Sequence, residues 1–334
     1  PHEGCRCQVP VMGHGQGVPP GHGFDTYCLW NTGNTEGRRF WNPSIECDGE
    51  ILEVRKDQYG PDIFTDFLLD FISANRDRPF FAYYPMALVH SPFLPTPHSK
   101  DRQSADEQRN FEDMVAYADF IAGRFHDALE ALGLVRSTVF IFTSDNGTHH
   151  RIDSSFGGTT IRGDKGALTD AGTHVPLIVS APGAIRGGRV IDDLIDFADF
   201  LPTVAEAAGL SIPDGVALDG ISFWDRLRGG PGSPREWHYT YYFPRPFAAE
   251  FDNPYRHPEV AYVRDKRYKL YADGQLFDLR RDPHEASPLP QSHSASASAR
   301  RKLGAALATM PVSGSRIPSG RSAASKGAPR PRWH

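Results

Sequence analysis

The sequence predicts an α/β fold with a smaller antiparallel α+β lobe towards its C-terminal end. Three observations carry this. Strand-length apolar runs alternate with stretches of helical periodicity between residues 61 and 210. Val139-Phe140-Ile141-Phe142 is an unbroken apolar run, which suits a strand covered on both faces, as in a parallel sheet between helices. After about residue 230 the pattern changes to short, aromatic-rich runs separated by turn residues.

The elements follow in chain order. Residues 1–23 are rich in Gly, Pro and His and read as irregular; "GFDTYCLW" (23–30) is aromatic and is expected to pack on the core. In 61–75, Ile63, Phe67, Leu68, Phe71 and Ile72 recur at helical spacing behind Pro61. "PFFAYYPMALVH" (79–90) reads as a strand running into a loop, which Pro92, Pro95 and Pro97 keep irregular. Residues 107–132 form the clearest helix, with Phe111, Met114, Val115, Ala118, Ala122, Phe125, Leu129 and Leu132 on one stripe and Gly133 as a stop. Strands are expected at 138–143 and within 174–183. The helix 196–210 carries Asp199 near its start, Pro202 in its first turn and Gly209 at its end.

Short strands are then expected in 236–243, 259–273 and 274–279, with "ADGQ" as a hairpin. From residue 286 there is no Asp or Glu but eight Lys/Arg, among Ser, Ala, Gly and Pro. The reading is therefore an irregular segment 1–23, an α/β domain 24–230, an antiparallel lobe 231–288, and a disordered, basic low-complexity tail 289–334.

Composition sets further bounds. The chain of 334 residues is 39% hydrophobic and 23% charged, enough for a large core. A net charge of -5 gives no nucleic-acid character. No run of about 18 apolar residues exists, so no transmembrane helix is expected, and no signal peptide is visible. Cys5, Cys7, Cys28 and Cys47 admit free thiols or simple pairs; Cys5-x-Cys7 has no second Cys or His pair at zinc spacing.

Three groups of residues are candidates for chemistry. Asp145-Asn146-Gly147 follow the most apolar strand, at the end where open α/β sheets bind ligands. Asp and Asn offer hard oxygens suited to calcium or magnesium, and Gly147 permits a sharp turn. The same triplet is also a common turn. Lys165 lies in the Gly-rich "RGDKGALTDAG", where an ammonium is a point-charge clamp for an anion; most lysines are simply surface residues. His90 ends an apolar run before a Pro-rich loop and reads either as an anion contact or as a satisfied core histidine.

Together these pieces resemble one family, the sulfatases of the alkaline phosphatase superfamily, especially arylsulfatase-like members. "GFDTYCLW", "FFAYYPMALVHSPF", "FTSDNGTHH", "RGDKGALTDAGTHVPLIVSAPG", "DFADFLPTVAEAAG", "DGISFWDRLRG" and "YKLYADGQLFDLRRDPHE" match in order and spacing, over roughly 21–288. The resemblance implies an alkaline-phosphatase-like mixed sheet between helices, incomplete at its N-terminus. It implies hydrolysis of an aryl or carbohydrate sulfate ester, with a metal and cations offsetting charge in the transition state. Asp145 and Asn146 would be two ligands to a divalent metal, most simply Ca²⁺. Lys165 and His90 would bind sulfate oxygens, one of them assisting the leaving group. His149 and Arg162 would line the pocket.

The sequence also departs from the family pattern. The family's nucleophile is a formylglycine made from Cys or Ser in a Cys/Ser-x-Pro/Ala-x-Arg motif. None of the four cysteines, which read "CRCQV", "CQVPV", "CLWNT" and "CDGEI", fits it. The family's Asp-Asp pair and its Gly-Lys-Trp-His-type segment are missing as well. The simplest account is a C-terminal portion of a sulfatase, inactive alone, holding calcium weakly and poorly soluble or partly disordered in isolation. The alternatives are a phosphodiesterase or phosphonate hydrolase of the same superfamily, and a non-catalytic binder of sulfated glycans. Export to the periplasm or the medium is expected from the resemblance.

Overall fold

The computed structural model describes residues 6–9, 23–30, 38–242 and 260–310, which fall into two units. Among the described residues, the first comprises those up to 136 together with 151–153; the second comprises 137–150 and those from 154 to 310. The dividing point therefore lies near residue 136, and the antiparallel lobe shares a unit with the strand that leads to Asp145.

The first unit holds a mixed five-stranded sheet in the order β4-β3-β2-β1-β5. β1 (Arg6–Val9) lies within the stretch read as irregular; it pairs in parallel with β2 (Thr26–Trp30) and β5 (Phe80–Ala82). β3 (Ile45–Cys47) and β4 (Glu50–Ile51) continue antiparallel. Tyr27, Cys28 and Leu29 are buried, as the aromatic "GFDTYCLW" segment implied. Cys28 and Cys47 are direct cross-strand partners and form a disulfide. Cys5 lies outside the described residues.

α1 (Gly60–Ala74) begins where Gly60 crosses the Arg39 carbonyl so closely that a Cβ would stand 2.1 Å from it. Pro61 and Asp62 suit the first turn, where an amide donor is not needed and negative charge is favoured. Phe64, Leu68, Phe71 and Ile72 are buried, with Ile63 and Phe67 packed beside them. α2 (Glu107–Ala131) is capped by the Asp106 carboxylate, which accepts the Arg109 amide at 3.2 Å. It ends at Gly133, whose φ of 73° needs no Cβ, with Leu134 N–H returning to the Leu129 carbonyl at 2.8 Å. Its inner stripe is Phe111, Met114, Tyr117, Ala118, Ile121, Phe125 and Leu129. Val115, placed on that stripe by spacing, is instead 46% exposed. Tyr117 Oη donates to Asp62 at 2.7 Å, tying α2 to α1.

In the second unit β6 (Phe140–Thr143) pairs antiparallel with β9 (Leu177–Ser180). The expectation of a doubly covered strand of a parallel sheet is corrected here: all four residues of β6 are half-buried, and Ile178 on β9 is 60% exposed. β7 (Asp153–Phe156) and β8 (Thr159–Arg162) form a hairpin. The single turn α3 (Asp170–Thr173) precedes β9. A short turn at Phe197–Asp199 runs into α4 (Phe200–Ala207) through a capping box between Asp196 and Asp199. α5 (Trp224–Arg228) ends in left-handed Gly229.

A four-stranded antiparallel sheet follows: β10 (His238–Tyr242), β11 (Val260–Arg264), β12 (Tyr268–Tyr271) and β13 (Leu276–Asp278). The "ADGQ" stretch turns β12 into β13, with Gly274 at φ 91°. The expected tail is corrected in part. Residues Ala297–Ala308 form a helix, α6, whose Leu303 and Ala306 are buried against Val263, Leu270 and Leu276. Apolar contact with the sheet supplies what the Ser- and Ala-rich composition hides. Phe243, Glu259 and the tail beyond 310 lie outside the described residues.

Candidate active site

The site grows from the end of β6. Thr143 Oγ1 donates to the Pro176 carbonyl at 2.8 Å, and Ser144 Oγ donates to the Asn146 carbonyl at 3.1 Å. The chain thus turns at Asp145, which is exposed, and Asn146, which is half-buried. Gly147 is required next. Its amide donates to the Gly172 carbonyl at 2.9 Å, and a Cβ on it would meet the Ala171 carbonyl oxygen at 2.0 Å. Thr148 then accepts the Lys165 amide at 2.9 Å. Gly163 passes so near that a Cβ there would stand 2.2 Å from the His149 carbonyl oxygen.

These backbone contacts zip residues 145–149 against residues 163–172. They bring together Asp145, Asn146, His149 and Lys165, named from the sequence. Arg162 joins them by donating from Nε to the His150 carbonyl at 2.8 Å. The rings of His149 and His150 stack at 4.2 Å. His90 belongs to the first unit. There it is exposed, with Nδ1 2.7 Å from the Ser91 carbonyl, so it is not the buried core histidine of the competing reading.

The 163–174 segment is braced by residues the sequence reading did not single out. Asp170 accepts from Arg264 Nη1 of β11 at 2.6 Å and from His174 Nδ1 at 3.0 Å. Burial pushes the Asp170 carboxyl up, but these two hydrogen bonds outweigh it and hold its pKa at about 2. The same bond to Asp170 raises His174. Lys269 of β12, 2% exposed, donates to the Leu168 carbonyl and pairs with Glu285 at 2.8 Å. Desolvation lowers its pKa to about 8 despite that partner. The available sequence signal was a lone lysine inside the otherwise aromatic and apolar strand "YKLY".

A divalent cation fits the chemistry of Asp145 and Asn146, a carboxylate and a carboxamide oxygen on one turn. Two oxygens are fewer than the six to eight that Ca²⁺ takes. Among the described residues, the trio of His, Asp or Glu ligands close enough for a metal is His126, Asp127 and Glu130, on the exposed side of α2 and away from this loop in sequence.

Comparison with known proteins bears on what such a site serves. The sequence profile of the sulfatase family matches residues 11–210. The chain belongs to the sulfatase family. A second profile, the C-terminal region of N-sulphoglucosamine sulphohydrolase, matches residues 162–310 and so takes in the Lys165 loop, the antiparallel sheet and α6. Among related sulfatases, steryl-sulfatase of Mus musculus is 31% identical over 249 residues, 66% of this chain and 39% of the relative. Arylsulfatase A of Homo sapiens is 32% identical over 192 residues, 57% of this chain and 36% of the relative. The chain therefore spans less than half the length of these relatives.

Solved sulfatase-fold structures superpose over most of the chain. One, determined with its substrate D-glucosamine-2-N,6-O-disulfate, gives a TM-score of 0.70 at 18% identity, over 92% of this chain and 79% of that one. A sulfatase from Pseudoalteromonas sp. gives 0.68 at 20% identity, over 92% and 71%. The fold is thus the alkaline-phosphatase-like α/β fold of sulfatases, with its small antiparallel sheets.

Proposed function

We propose that this chain carries the anion-binding and part of the metal-binding half of a sulfatase site, acting on an aryl or carbohydrate sulfate ester. The observation that supports the reading is the backbone register joining Gly147 to Gly172 and Thr148 to Lys165, which brings the chain at Lys165 alongside the chain that follows Asp145 and Asn146. Lys165 holds the sulfate as a point charge, with Arg162 and His149 lining the same loop pair. His90 is assigned to the sulfate by resemblance alone. Asp145 and Asn146 would hold a cation, most simply Ca²⁺. When bound, that ion withdraws charge from the sulfate oxygens.

None of the four cysteines stands in the family's nucleophile motif. Cys28 and Cys47 are consumed in a disulfide, and neither Cys5 nor Cys7 stands in the family's formylglycine motif. Turnover by this chain alone is therefore not expected. The disulfide supports an oxidising, exported environment, and no helix among the described residues is long and apolar enough to cross a membrane.

Titration of the full chain with inorganic sulfate tests the reading, with and without Ca²⁺. Lys165→Ala should weaken sulfate binding by about tenfold or more, the loss of one charge-assisted contact. Asp145→Ala/Asn146→Ala should remove the calcium dependence. Sulfate affinity unchanged in Lys165→Ala would overturn the assignment.

A further inference from the structure

The loop that carries Lys165 has little regular structure of its own. Between Gly163 and Thr173 its internal ties include a bond from Thr169 to Asp164, the Ala167 amide on the Asp164 carbonyl, the Thr173 hydroxyl on the Thr169 carbonyl, the close passage of Gly172 by the Asp164 and Ala167 carbonyls, and the single turn α3. Yet Lys165 and Gly147 sit in a fixed backbone register, so something outside the loop must hold it. The antiparallel sheet of the same unit does so, through a hydrogen bond between Tyr262 and Thr173 and, nearer to Lys165, at two further points. Lys269 donates to the Leu168 carbonyl, and Arg264 bonds the Asp170 carboxylate at 2.6 Å. These contacts fall three and five residues beyond Lys165.

Arg264 and Lys269 are also direct cross-strand partners on β11 and β12. Partners of this kind project from one face, and like charges so placed repel. Lys269 is nearly inaccessible besides, with its Nζ 4.0 Å from the centre of the Tyr262 ring. Burying an ammonium beside a guanidinium costs stability that a pair of apolar side chains would not. Each cation has its own anion: Glu285 at 2.8 Å for Lys269 and Asp170 for Arg264. A device this costly gives poor value as a staple of the sheet, but it aims two donors at one loop.

We infer that Arg264 and Lys269 are positioning residues: together they hold the 163–172 loop, and Lys165 with it, in register with Gly147 and Thr148, which follow the Asp145–Asn146 turn. This makes the C-terminal sheet part of the anion site's geometry. The inference rests on the sulfatase reading for its purpose, but its mechanical content does not depend on that reading.

Hydrogen exchange of the full chain tests it at two reporter amides, Gly147 and Lys165, both hydrogen-bonded across the loops. Lys269→Met/Glu285→Gln removes the buried pair together, so neither charge is left alone. Exchange at both reporters should accelerate by about tenfold or more through local opening, while α2 and β10 stay within about twofold. Arg264→Met, at a less buried site, should act in the same direction and decides the matter if the double variant unfolds. A merely structural pair would shift the melting temperature but leave the reporters moving in step with β10. Reporters unchanged in both variants, or moving only with β10, would overturn the inference. Inorganic sulfate titrations of the same variants separate the two ideas. Sulfate binding indifferent to Lys165→Ala defeats the sulfatase reading, and the exchange result still decides the positioning role.

Discussion

Within the second unit, two sheets contrast. In β11, β12 and β13 the central residues are buried, and Val263, Leu270 and Leu276 pack beneath α6. In β6 and β9 no residue is fully buried, yet the site's acidic turn hangs from β6. The site is thus not anchored by the packing of its own strands. Its order comes from backbone contacts that admit no Cβ at Gly147 and Gly163, and from two cations reaching over from the well-packed sheet. Loops of this kind lie at the low-stability end of a fold unless a rigid neighbour holds them.

The contrast predicts where substitutions cost most. Lys269→Met alone leaves Glu285, with 5% of its side chain exposed, as an unpaired buried charge. It should destabilise the second unit by about 3–5 kcal/mol in urea unfolding. Leu276→Ala, fully buried in β13, should cost about 2–5 kcal/mol. Ile178→Ala, at a 60%-exposed position of β9, should cost under about 1 kcal/mol. Equal losses in those two strands would erase the contrast. Gly147→Ala drives a methyl group into the Ala171 carbonyl and should cost about 1–3 kcal/mol, with the loss concentrated in exchange protection of residues 145–172.

A smaller effect follows from Asp170. Its pKa falls from 3.8 to about 2 on folding, so its contribution is complete above pH 3.8 and is lost as pH falls towards 2. Because about a third of the side chain is exposed, screening reduces this to about 1–2 kcal/mol. His174 is raised above 6.5, so its share is complete below 6.5 and is lost as pH rises from there through its raised value in the folded chain. The stability difference between wild type and Asp170→Asn should therefore be greatest between these limits. A difference flat from pH 2 to 8 would remove the pair from the account.

Much of this was legible in the sequence because it is local. The stop at Gly133, Pro61 in the first turn of α1 and the Gly274 hairpin are each read from a few neighbouring residues. Asp145, Asn146 and Lys165 stood out because oxygen ligands and an ammonium sit beside glycines in an order that resembles the sulfatases, although a common turn and a surface lysine were equally open readings of the residues alone. What was not legible depends on partners distant in the chain. The Cys28–Cys47 bridge needs the register of β2 with β3. α6 needs the sheet that covers Leu303, so composition alone read it as disorder. β6 looked doubly covered because its residues are apolar, whereas coverage is set by what stacks on them. The Arg264–Asp170 and Lys269–Leu168 contacts span 94 and 101 positions, beyond the reach of any pattern in the sequence.

The central claim is that the zipped loops form a sulfate site around Lys165. The most direct measurement is a crystal structure of the full chain grown with Ca²⁺ and an excess of a sulfate monoester. The account predicts a sulfate group hydrogen-bonded to Lys165 Nζ and a cation on the Asp145 and Asn146 oxygens. An ester bound elsewhere, with Lys165 paired only to protein groups and no cation on the turn, would contradict it.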